Sequence, residues 1–490
     1  MSKTMLPKEW INTNLGAILL SIIGGGTPSK SKPEYFLGNI PWMSVKDMNK
    51  HILKDTVDHI TPEAVKNSST NIIPAGTPII ATRMSLGKIV TASFDSAINQ
   101  DLKALFLPKD IERNFFLHWY RSQSQLIESL GTGTTVKGIR LEVLNGLSIN
   151  LPPLAEQKII ADKLDDLLAR VESIKARLGN IPEILKTFRQ SVLASAVNGN
   201  LTENWRGTYT PNIPCFESIA EKKRDLISSG QIKKDLVAEK IEPNFENVRE
   251  WLYLKLQSLA EKITDGEHKT PKREKSGRYL LSARNIQNGF ISVSNVDYVG
   301  EEEFKKLRKR CDPNRGDVLI SCSGSVGRIC LVDEDDKYVM VRSAALVRIR
   351  GEFIQEKYLM YFLQSPISQK HIEESSKSTA QANLFLGPIK DLVIALPSID
   401  EQAEIVRRVE ELFTFANSIE QKIEAALEEI SNLTQSVLAK AFRGELTAQW
   451  REENPELISG INSAEALLER IAEEKLASGN TKRSAKKAVN

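Results

Sequence analysis

Three pairs of polar loops carry the side chains of this sequence that could do chemistry. Glycine lets a backbone approach a phosphate closely, while hydroxyl, amide and cationic side chains donate hydrogen bonds to phosphates and base edges. Each loop alone is typical of a solvated turn, but three corresponding pairs favour a binding surface for nucleic acid. The paired segments are Gly24–Lys30 with Thr264–Arg273, Thr82–Lys88 with Cys322–Arg328, and Gly131–Lys137 with Ser375–Gln381.

The candidate contact residues in and near these loops are basic, hydroxyl or amide side chains. An Arg or Lys on guanine, or a Gln on adenine, contributes about 1–3 kcal/mol of discrimination. The candidates are Lys46, Arg83, Lys88, Thr134, Lys137, His268, Lys269, Arg284, Ser323, Arg328, Lys377 and Gln381.

The sequence gives weaker support to a catalytic site than to a binding surface. Lys30-Ser31 lacks the glycine that precedes the lysine of a phosphate-binding P-loop. His51 and His59 have no cysteine near them in the sequence and show none of the usual ligand spacings, which argues against a metal site. No glycine-rich cofactor turn and no Asn/Asp-Pro-Pro-aromatic tetrad for a flipped base is present. We therefore expect no catalytic residues, no metal and no bound cofactor.

The elements that position these loops come from an internal duplication. Leu151–Gln157 is answered by Leu396–Gln402, so that Glu156 and Glu401 lie 245 residues apart. The register continues without a gap to Trp205-Arg206 and Trp450-Arg451. The segments ahead of each repeat also correspond at slightly smaller offsets, with Glu9-Trp10 beside Glu250-Trp251.

Both copies of the repeat carry apolar residues in alternating steps of four and three, a heptad seam. A narrow stripe on so long a helix needs a partner, so we expect the two copies to pack on each other. Pro182 stands inside the first copy and predicts a kink or short break there. The predicted seam residues are Ile160, Leu164, Leu167, Val171, Ile174, Ile405, Val409, Leu412, Ile419 and Ile423.

The fold class is predicted as α+β, with two similar α/β modules separated and joined by two long antiparallel coiled-coil-like helices, in a pseudo-two-fold duplication. Short apolar strands such as 77–82 and 317–322 and helical patterns near 115–130 and 354–372 indicate the mixed modules. The predicted domains are a first module at 1–150, a central helical repeat at 151–206, a spacer with a short helix at 207–248, a second module at 249–395, a distal helical repeat at 396–451 and a tail with an amphipathic helix at 452–490.

Composition sets broad limits. The 490 residues contain 66 Lys+Arg against 63 Asp+Glu, and a net charge of +3 makes no case for a polybasic coat. The four cysteines show no CxxC spacing and are expected to be reduced, buried thiols. The longest apolar run, 15–23, is too short to span a membrane, and no signal peptide precedes it. These features predict a cytoplasmic protein.

Two divergent modules, each followed by Leu-Pro-x-x-x-Glu-Gln and a heptad helix, resemble the specificity subunit of type I restriction-modification systems. The most specific residues are 152–157, Glu401-Gln402 and the paired ends 199–206 and 444–451. The tail, with its helix at 463–477, is similar to the type IA branch in particular.

The resemblance implies that each module is a target recognition domain reading one half of a bipartite, asymmetric DNA site. The helical repeats would set the spacing and dock two methyltransferase (M) subunits, and two motor-nuclease (R) subunits would join for cleavage. S-adenosylmethionine, ATP and Mg are then expected on the partner subunits, where adenine is methylated.

Two other functions stay open from the residues alone. A structural coiled-coil scaffold would bind no duplex, and a stand-alone nuclease would draw on carboxylate and lysine loops such as Glu301–Lys306.

Overall fold

The chain folds as mixed α+β, with sheet-rich modules and two very long helices, in a computed structural model that describes residues 6–133, 136–208, 213–242, 248, 250–349, 351–376 and 382–487. It divides into two compact units. The first unit combines residues 1–178 with 424–490, and the second unit is the continuous segment 179–423. Each unit therefore contains one module and about half of each long helix.

The strands are short and mostly buried on at least one face. They are β1 (Ile11–Asn14), β2 (Ser21–Gly24), β3 (Ile40–Met43), β4 (Ile52–Leu53), β5 (Asp58–Ile60), β6 (Asn71–Ile73), β7 (Ile79–Ala81), β8 (Ile89–Ala92), β9 (Ser96–Ile98), β10 (Leu102–Phe106), β11 (Ser148–Leu151), β12 (Leu252–Lys255), β13 (Ala260–Asp265), β14 (Arg273–Glu274), β15 (Arg278–Leu281), β16 (Ile286–Gln287), β17 (Phe290–Ile291), β18 (Asp297–Val299), β19 (Val318–Ser321), β20 (Ile329–Leu331), β21 (Tyr338–Met340), β22 (Ala344–Ile349) and β23 (Val393–Leu396).

The helices range from single turns to 44 residues. They are α1 (Leu15–Ile18), α2 (Pro62–Lys66), α3 (Arg113–Ser122), α4 (Ser124–Ser129), α5 (Leu141–Asn145), α6 (Leu154–Val197), α7 (Glu203–Arg206), α8 (Phe216–Ser228), α9 (Leu256–Leu259), α10 (Glu301–Arg308), α11 (Glu356–Gln364), α12 (Pro366–Ser376), α13 (Leu386–Asp391), α14 (Ile399–Phe442), α15 (Ala448–Glu453) and α16 (Ala464–Lys487).

The two modules share one sheet topology. The order β2-β10-β7-β8 of the first module matches β13-β22-β19-β20 of the second, and β5-β3-β9 matches β18-β15-β21. The second strand pair of each trio, β3 with β9 and β15 with β21, is parallel in both modules. A separate ribbon closes each module by pairing its first strand with its last, β1 with β11 and β12 with β23. This match supports the duplication read from the sequence.

The long helices pack on each other inside each unit, and the packing is antiparallel. In the second unit, Arg189 donates to both carboxylate oxygens of Glu420 at 2.7 and 2.9 Å, and Arg408 donates to the carbonyl of Leu201 at 2.7 Å. Residue numbers thus fall along α14 as they rise along α6. In the first unit, Lys163 donates to the carbonyl of Leu446 at 3.2 Å, the counterpart of the Arg408 bond 245 residues away.

The seam between the helices is buried in part. Ile160, Leu164, Val171, Ile405, Val409 and Ile423 are buried, and Leu167, Leu412 and Ile419 are half-buried. The expectation for Ile174 was wrong, because this side chain is 47% exposed. Leu185 and Val192, which continue the same seam, are buried, so the exposure of Ile174 is local to that position and is not a cumulative drift of the heptad pattern.

The expected break at Pro182 was also wrong, since α6 runs without interruption through it. A proline inside a helix removes one backbone hydrogen bond and costs about 3 kcal/mol. Leu185 and Val192, which follow Pro182 on the same helix, are buried. Their burial, worth about 1.5–3 kcal/mol each, offsets that cost and keeps the helix continuous.

A fully buried glutamate ties each long helix to its module. Glu156 accepts hydrogen bonds from the indole Nε1 of Trp10 at 2.8 Å, the hydroxyl of Thr447 at 2.6 Å and Nη1 of Arg451 at 2.5 Å. Nη2 of Arg451 donates to the carbonyl of Gly444 at 2.7 Å. We call these four side chains, Glu156, Trp10, Thr447 and Arg451, the first staple.

The second unit repeats this arrangement residue for residue. Glu401 is also fully buried and accepts from Trp251 at 3.0 Å, Thr202 at 2.7 Å and Arg206 at 2.5 Å. These four side chains form the second staple, in which Arg206 donates to the carbonyl of Gly199 at 2.8 Å. The Leu-Pro-x-x-x-Glu-Gln motif is thereby explained, because its glutamate joins the start of a module, the start of one helix and the turn after the other helix.

Glu156→Gln should destabilise the first unit by roughly 3–5 kcal/mol, because it leaves the largely buried guanidinium of Arg451 with only Glu9, 4.0 Å away, as a counter-charge. Hydrogen exchange read by mass spectrometry should show faster exchange in β1, β11 and the following turn of α6. Glu401→Gln is the matched control, and its faster exchange should appear in β12 and β23 instead. Equally faster exchange in both units from either variant would contradict this assignment.

A further helix follows each repeat and packs on one of the modules. The tail helix α16 buries Leu467 and Ile471 in the first unit, and α8 buries Ile219 and Leu226 in the second. Helix α8 also buries Lys223, whose ammonium donates to the carbonyl of Ala260. Burial lowers the pKa of Lys223 to about 8.

The Lys223 ammonium makes the stability of the second unit depend on pH. Its folded pKa lies below the ordinary value of 10.5, so the unfolded chain binds more protons between about pH 8 and 10.5, and the free energy of unfolding rises with pH across that interval. Lys223→Met should flatten this rise and add roughly 2 kcal/mol at pH 7. Urea unfolding at pH 7, 8.5 and 10 measures both effects; an unchanged pH slope would be the contrary result.

Of the four cysteines, three are buried thiols as expected, namely Cys311, Cys322 and Cys330. Burial raises the pKa of each to about 12. Cys215 departs from the expectation and is exposed at the N-cap position that precedes α8. Among the described residues, no helix combines the length and apolarity needed to cross a bilayer.

Candidate nucleic-acid interface

The loop after the central strand of each module is fixed by the same backbone contact. The amide of Thr82, which follows β7, donates to the carbonyl of Asp101 at 2.8 Å, and the amide of Cys322, which follows β19, donates to the carbonyl of Ser343 at 2.8 Å. Asp101 immediately precedes β10, which pairs with β7, and Ser343 immediately precedes β22, which pairs with β19. Two segments distant in sequence therefore meet at one edge of each sheet.

In the first module this edge bounds an open cavity of about 600 Å³. Lys46 lies on its wall and pairs with Asp58 at 3.1 Å while remaining largely exposed. The indole Nε1 of Trp42 donates to the carbonyl of Gly26 at 3.2 Å, which ties the first polar loop to the cavity floor. The lining residues are Thr27, Lys30, Pro33, Phe36, Trp42, Ser44, Val45, Lys46, Asp58, Met84, Asn99, Gln100 and Asp101.

The second module has a cavity of about 570 Å³ at the corresponding place. His268 and Ser323, two of the predicted contact residues, both line it. His268 lies 2.7 Å from Asp265, which also pairs with Arg310 at 2.6 Å. The lining residues are Asp265, His268, Cys322, Ser323, Arg342, Ser343, Asn383, Leu384, Phe385 and Leu386.

The Asp265 carboxylate is held ionised at the wall of this second cavity. Burial opposes its charge, but the hydrogen bonds from Arg310 and His268 outweigh burial and lower the pKa of Asp265 below its ordinary value. A carboxylate at this place accepts hydrogen bonds and suits the amino group of cytosine or adenine.

Met84 combines exposure with an uncommon backbone conformation. Its φ is +64°, in the left-handed region, and its side chain is 54% exposed at the rim of the first cavity. Internal alignment places it opposite Gly324, whose φ is +71°. A methionine at a position that favours glycine is strained, and such strain is typical of functional sites.

The other candidates lie around or away from these cavities. Arg83 is 3.6 Å from Asp101, a cavity residue, and Arg284 pairs with Asp297 at 2.8 Å. Lys137 and Lys269 are exposed, and Arg328 is half-buried. Lys88 lines a different cavity, beside His51 and Arg121. Thr134, Lys377 and Gln381 lie outside the described residues.

Sequence reasoning missed several cavity residues, notably Trp42, Gln100, Asp101 and Arg342. The segment before β10 and β22 shows no glycine or basic cluster, so its composition gave no signal. A signal did exist in the duplication, because Asp101 and Ser343 correspond at an offset of 242, within the range found for the leading segments. Among the described residues, no group of three or more His, Cys, Asp or Glu side chains is arranged to hold a metal ion.

Comparison with known families identifies the chain. The family model of the type I restriction modification DNA specificity domain matches residues 7–183 and 248–429. This chain belongs to that family. The two matched segments each contain one module and the start of its long helix, so the specificity domain occurs twice in this subunit.

Curated relatives of this specificity subunit agree over most of its length. It is 39% identical to the specificity subunit of the type I restriction enzyme EcoBI of Escherichia coli over 81% of this chain and 79% of that protein. It is 34% identical to the EcoKI specificity subunit of Escherichia coli K12 over the full length of both chains.

Solved structures share its fold. A chain from a structure on complex assembly and conformational transition of a type I restriction-modification system matches with a TM-score of 0.61 at 17% identity, over 90% of this chain and 99% of that one. The HsdS subunit of Thermoanaerobacter tengcongensis matches with a TM-score of 0.52 at 17% identity, over 90% and 98%.

Family membership confirms the central expectation drawn from the repeats. The chain is a specificity subunit of a type I restriction-modification system and carries DNA-recognition domains. Subunits of this family are non-catalytic, in agreement with the sequence analysis.

Met84→Gly should raise the free energy of unfolding by about 1 kcal/mol, since glycine adopts a positive φ without steric cost. Gly324→Met is the reciprocal control. The space around Gly324 is open, so its cost, also about 1 kcal/mol, comes from the backbone alone. Urea unfolding gives the free energy of unfolding of both variants. A lower value for Met84→Gly than for the unaltered chain would refute strain at this position.

Proposed function

We propose that the modules at 1–150 and 249–395 are target recognition domains that each read one half of a bipartite, asymmetric DNA site. The observation that carries the proposal is the pair of cavities at corresponding edges of one shared sheet topology. The two modules share one sheet topology, but different residues line their cavities. Such an arrangement suits two domains that recognise different half-sites.

The chemistry of the two linings supports this reading. The first cavity presents Lys46, Asn99 and Gln100, a cation and two amides. The second presents His268, Ser323 and Arg342. All six side chains can donate hydrogen bonds, and arginine, lysine and amide side chains are those that discriminate guanine and adenine in the major groove. The remaining candidates, which include Arg83, Arg284 and Lys269, would then contact phosphates and position the duplex.

The helical repeats at 151–206 and 396–451 are proposed to set the spacing between the half-sites and to dock two M subunits. Two R subunits would join the complex for cleavage, and in their absence adenine would be methylated. Exposed apolar residues on these helices, Ile184, Phe415 and Leu433, support docking, because large side chains of this kind are enriched where proteins associate. The chain would act in the cytoplasm, where it meets the cell's DNA.

The nuclease alternative finds no support in the structure of Glu301–Lys306. This segment belongs to α10, whose Phe304 and Leu307 are buried against the module. Its charges face solvent and pair along the helix, with Lys306 at 3.3 Å from Glu303. An ordinary amphipathic helix accounts for the pattern.

Exchange of residues 1–150 for the corresponding module of another family member tests the proposal. The junction at Leu151 keeps Glu156 in the chain, and any replacement should retain a tryptophan equivalent to Trp10 for the first staple. Co-expression with the cognate M subunits and genome-wide mapping of methylated adenine should show one half-site changed, with the other half and the gap preserved.

Exchange of residues 249–395 is the matched control and should change the opposite half-site only. The chain expressed without M subunits should leave the methylome unaltered. A change in both halves after a single exchange would contradict independent reading by the two modules.

A further inference from the structure

A cationic cavity of about 340 Å³ lies in the first module, away from the proposed reading cavity. Its charged lining residues are Lys50, Lys88 and Arg121, joined by His51. No carboxylate lines it among the residues that the structure describes there. A concave site with this balance of charge is suited to an anion.

Arg121 is held in this cavity by the core of its own helix. It lies in the last turn of α3, directly after Trp119 and Tyr120, which are fully buried. Its Nε is buried and has no hydrogen-bond partner among the described residues. Burial lowers the pKa of this guanidinium, although Asp165 acts against that effect. An arginine in this condition is costly unless an anion completes its hydrogen bonds.

Asp165, the acid that acts electrostatically on Arg121, makes no hydrogen bond or ion pair with it among the described residues. Asp165 accepts from Nδ2 of Asn114 at 3.1 Å and lies 2.7 Å from Nε2 of His118. Glu172 acts on His51 at long range but lies exposed on α6. The cationic groups of the cavity therefore have no carboxylate dedicated to them.

The second module shows what this position becomes without an anion. The backbone amide of Glu112 donates to the side chain of Gln157, and the backbone amide of Gln355 donates in the same way to Gln402. Glu112 and Gln355 are therefore equivalent positions, and the two modules differ here by 243 residues. Gln364 thus stands opposite Arg121. Its neutral amide is buried and donates to the carbonyl of Ile329 at 2.9 Å, so its donor is satisfied by the chain itself.

We propose that the cavity formed by Lys50, His51, Lys88 and Arg121 binds a phosphate group. Three cations and a histidine around a cavity of this size match the charge and the hydrogen-bond acceptors of a phosphate, and Arg121 supplies a planar fork of donors. The phosphate comes either from the DNA backbone, which rests on the proposed function, or from a free phosphate ion. The module then has a backbone grip in addition to its reading cavity, or a ligand site independent of DNA.

Calorimetric titration of the full chain with inorganic phosphate, at constant ionic strength, tests the site. Arg121→Gln, which copies the second module, should weaken phosphate binding at least about tenfold. Lys88→Gln, an exposed loop variant, should weaken it several-fold and covers the case in which Arg121→Gln fails to fold. Lys109→Gln removes one exposed charge of the same unit outside the cavity and should leave the affinity unchanged. Equal affinity in all variants, or no binding by the unaltered chain, overturns the proposal.

A second arm separates the two sources of phosphate. Duplex binding is measured for the chain assembled with its M subunits, with and without added inorganic phosphate. A backbone source predicts that Arg121→Gln lowers duplex affinity for all sequences alike and that phosphate competes with DNA. A free-ion source predicts weaker phosphate binding with duplex affinity unchanged. Since the phosphate titration stands without any duplex, its failure is distinguishable from failure of the proposed DNA reading.

Discussion

A glutamate without any exposed surface organises each half of this protein. Burying a carboxylate costs several kcal/mol unless its lone pairs are satisfied, and the three donors on Glu156 and on Glu401 meet that requirement. The donors come from segments up to 295 residues away in the sequence. Module, helix start and terminal turn must therefore assemble together, because any one of them alone would leave a charge or an indole unpaired.

The staples leave the modules free to diverge. Their bonds involve the ends of each module and the helical repeats, while the two cavities of about 600 and 570 Å³ lie at the edges of the inner sheets. Substitutions that alter Lys46 or His268 touch none of the staple residues. The same frame and two different linings thus coexist in one chain.

The sequence predicted what repeats along the chain and missed what depends on tertiary contact. The duplication and the antiparallel pair of long helices were predicted from the heptad periodicity and from the offset of 245, and the shared sheet topology and the contacts between the helices confirm them. Trp10 and Trp251 were recognised as matching positions, but their bonds to buried glutamates join residues that no local pattern connects. Arg121 escaped attention because a lone arginine on an aromatic helix has no distinctive spacing.

Two failures have a common physical cause. The heptad rule treated the helix as a rigid periodic object, so it misplaced Ile174, and the proline rule considered only the backbone bond that Pro182 removes. In both cases the packing of neighbouring side chains along 44 residues decided the outcome. Local rules hold best where no long-range partner competes with them.

The composition of the first unit from residues 1–178 and 424–490 has a consequence for biosynthesis. Glu156 emerges from the ribosome almost 300 residues before Arg451, so a nascent chain carries an incomplete first unit while the second unit, continuous from 179 to 423, is already fully made. The module that is translated first is therefore the one that is finished last. Only a chain translated past Arg451 can pair its first buried carboxylate with that guanidinium, so a product that stops before residue 451 has an incomplete first unit.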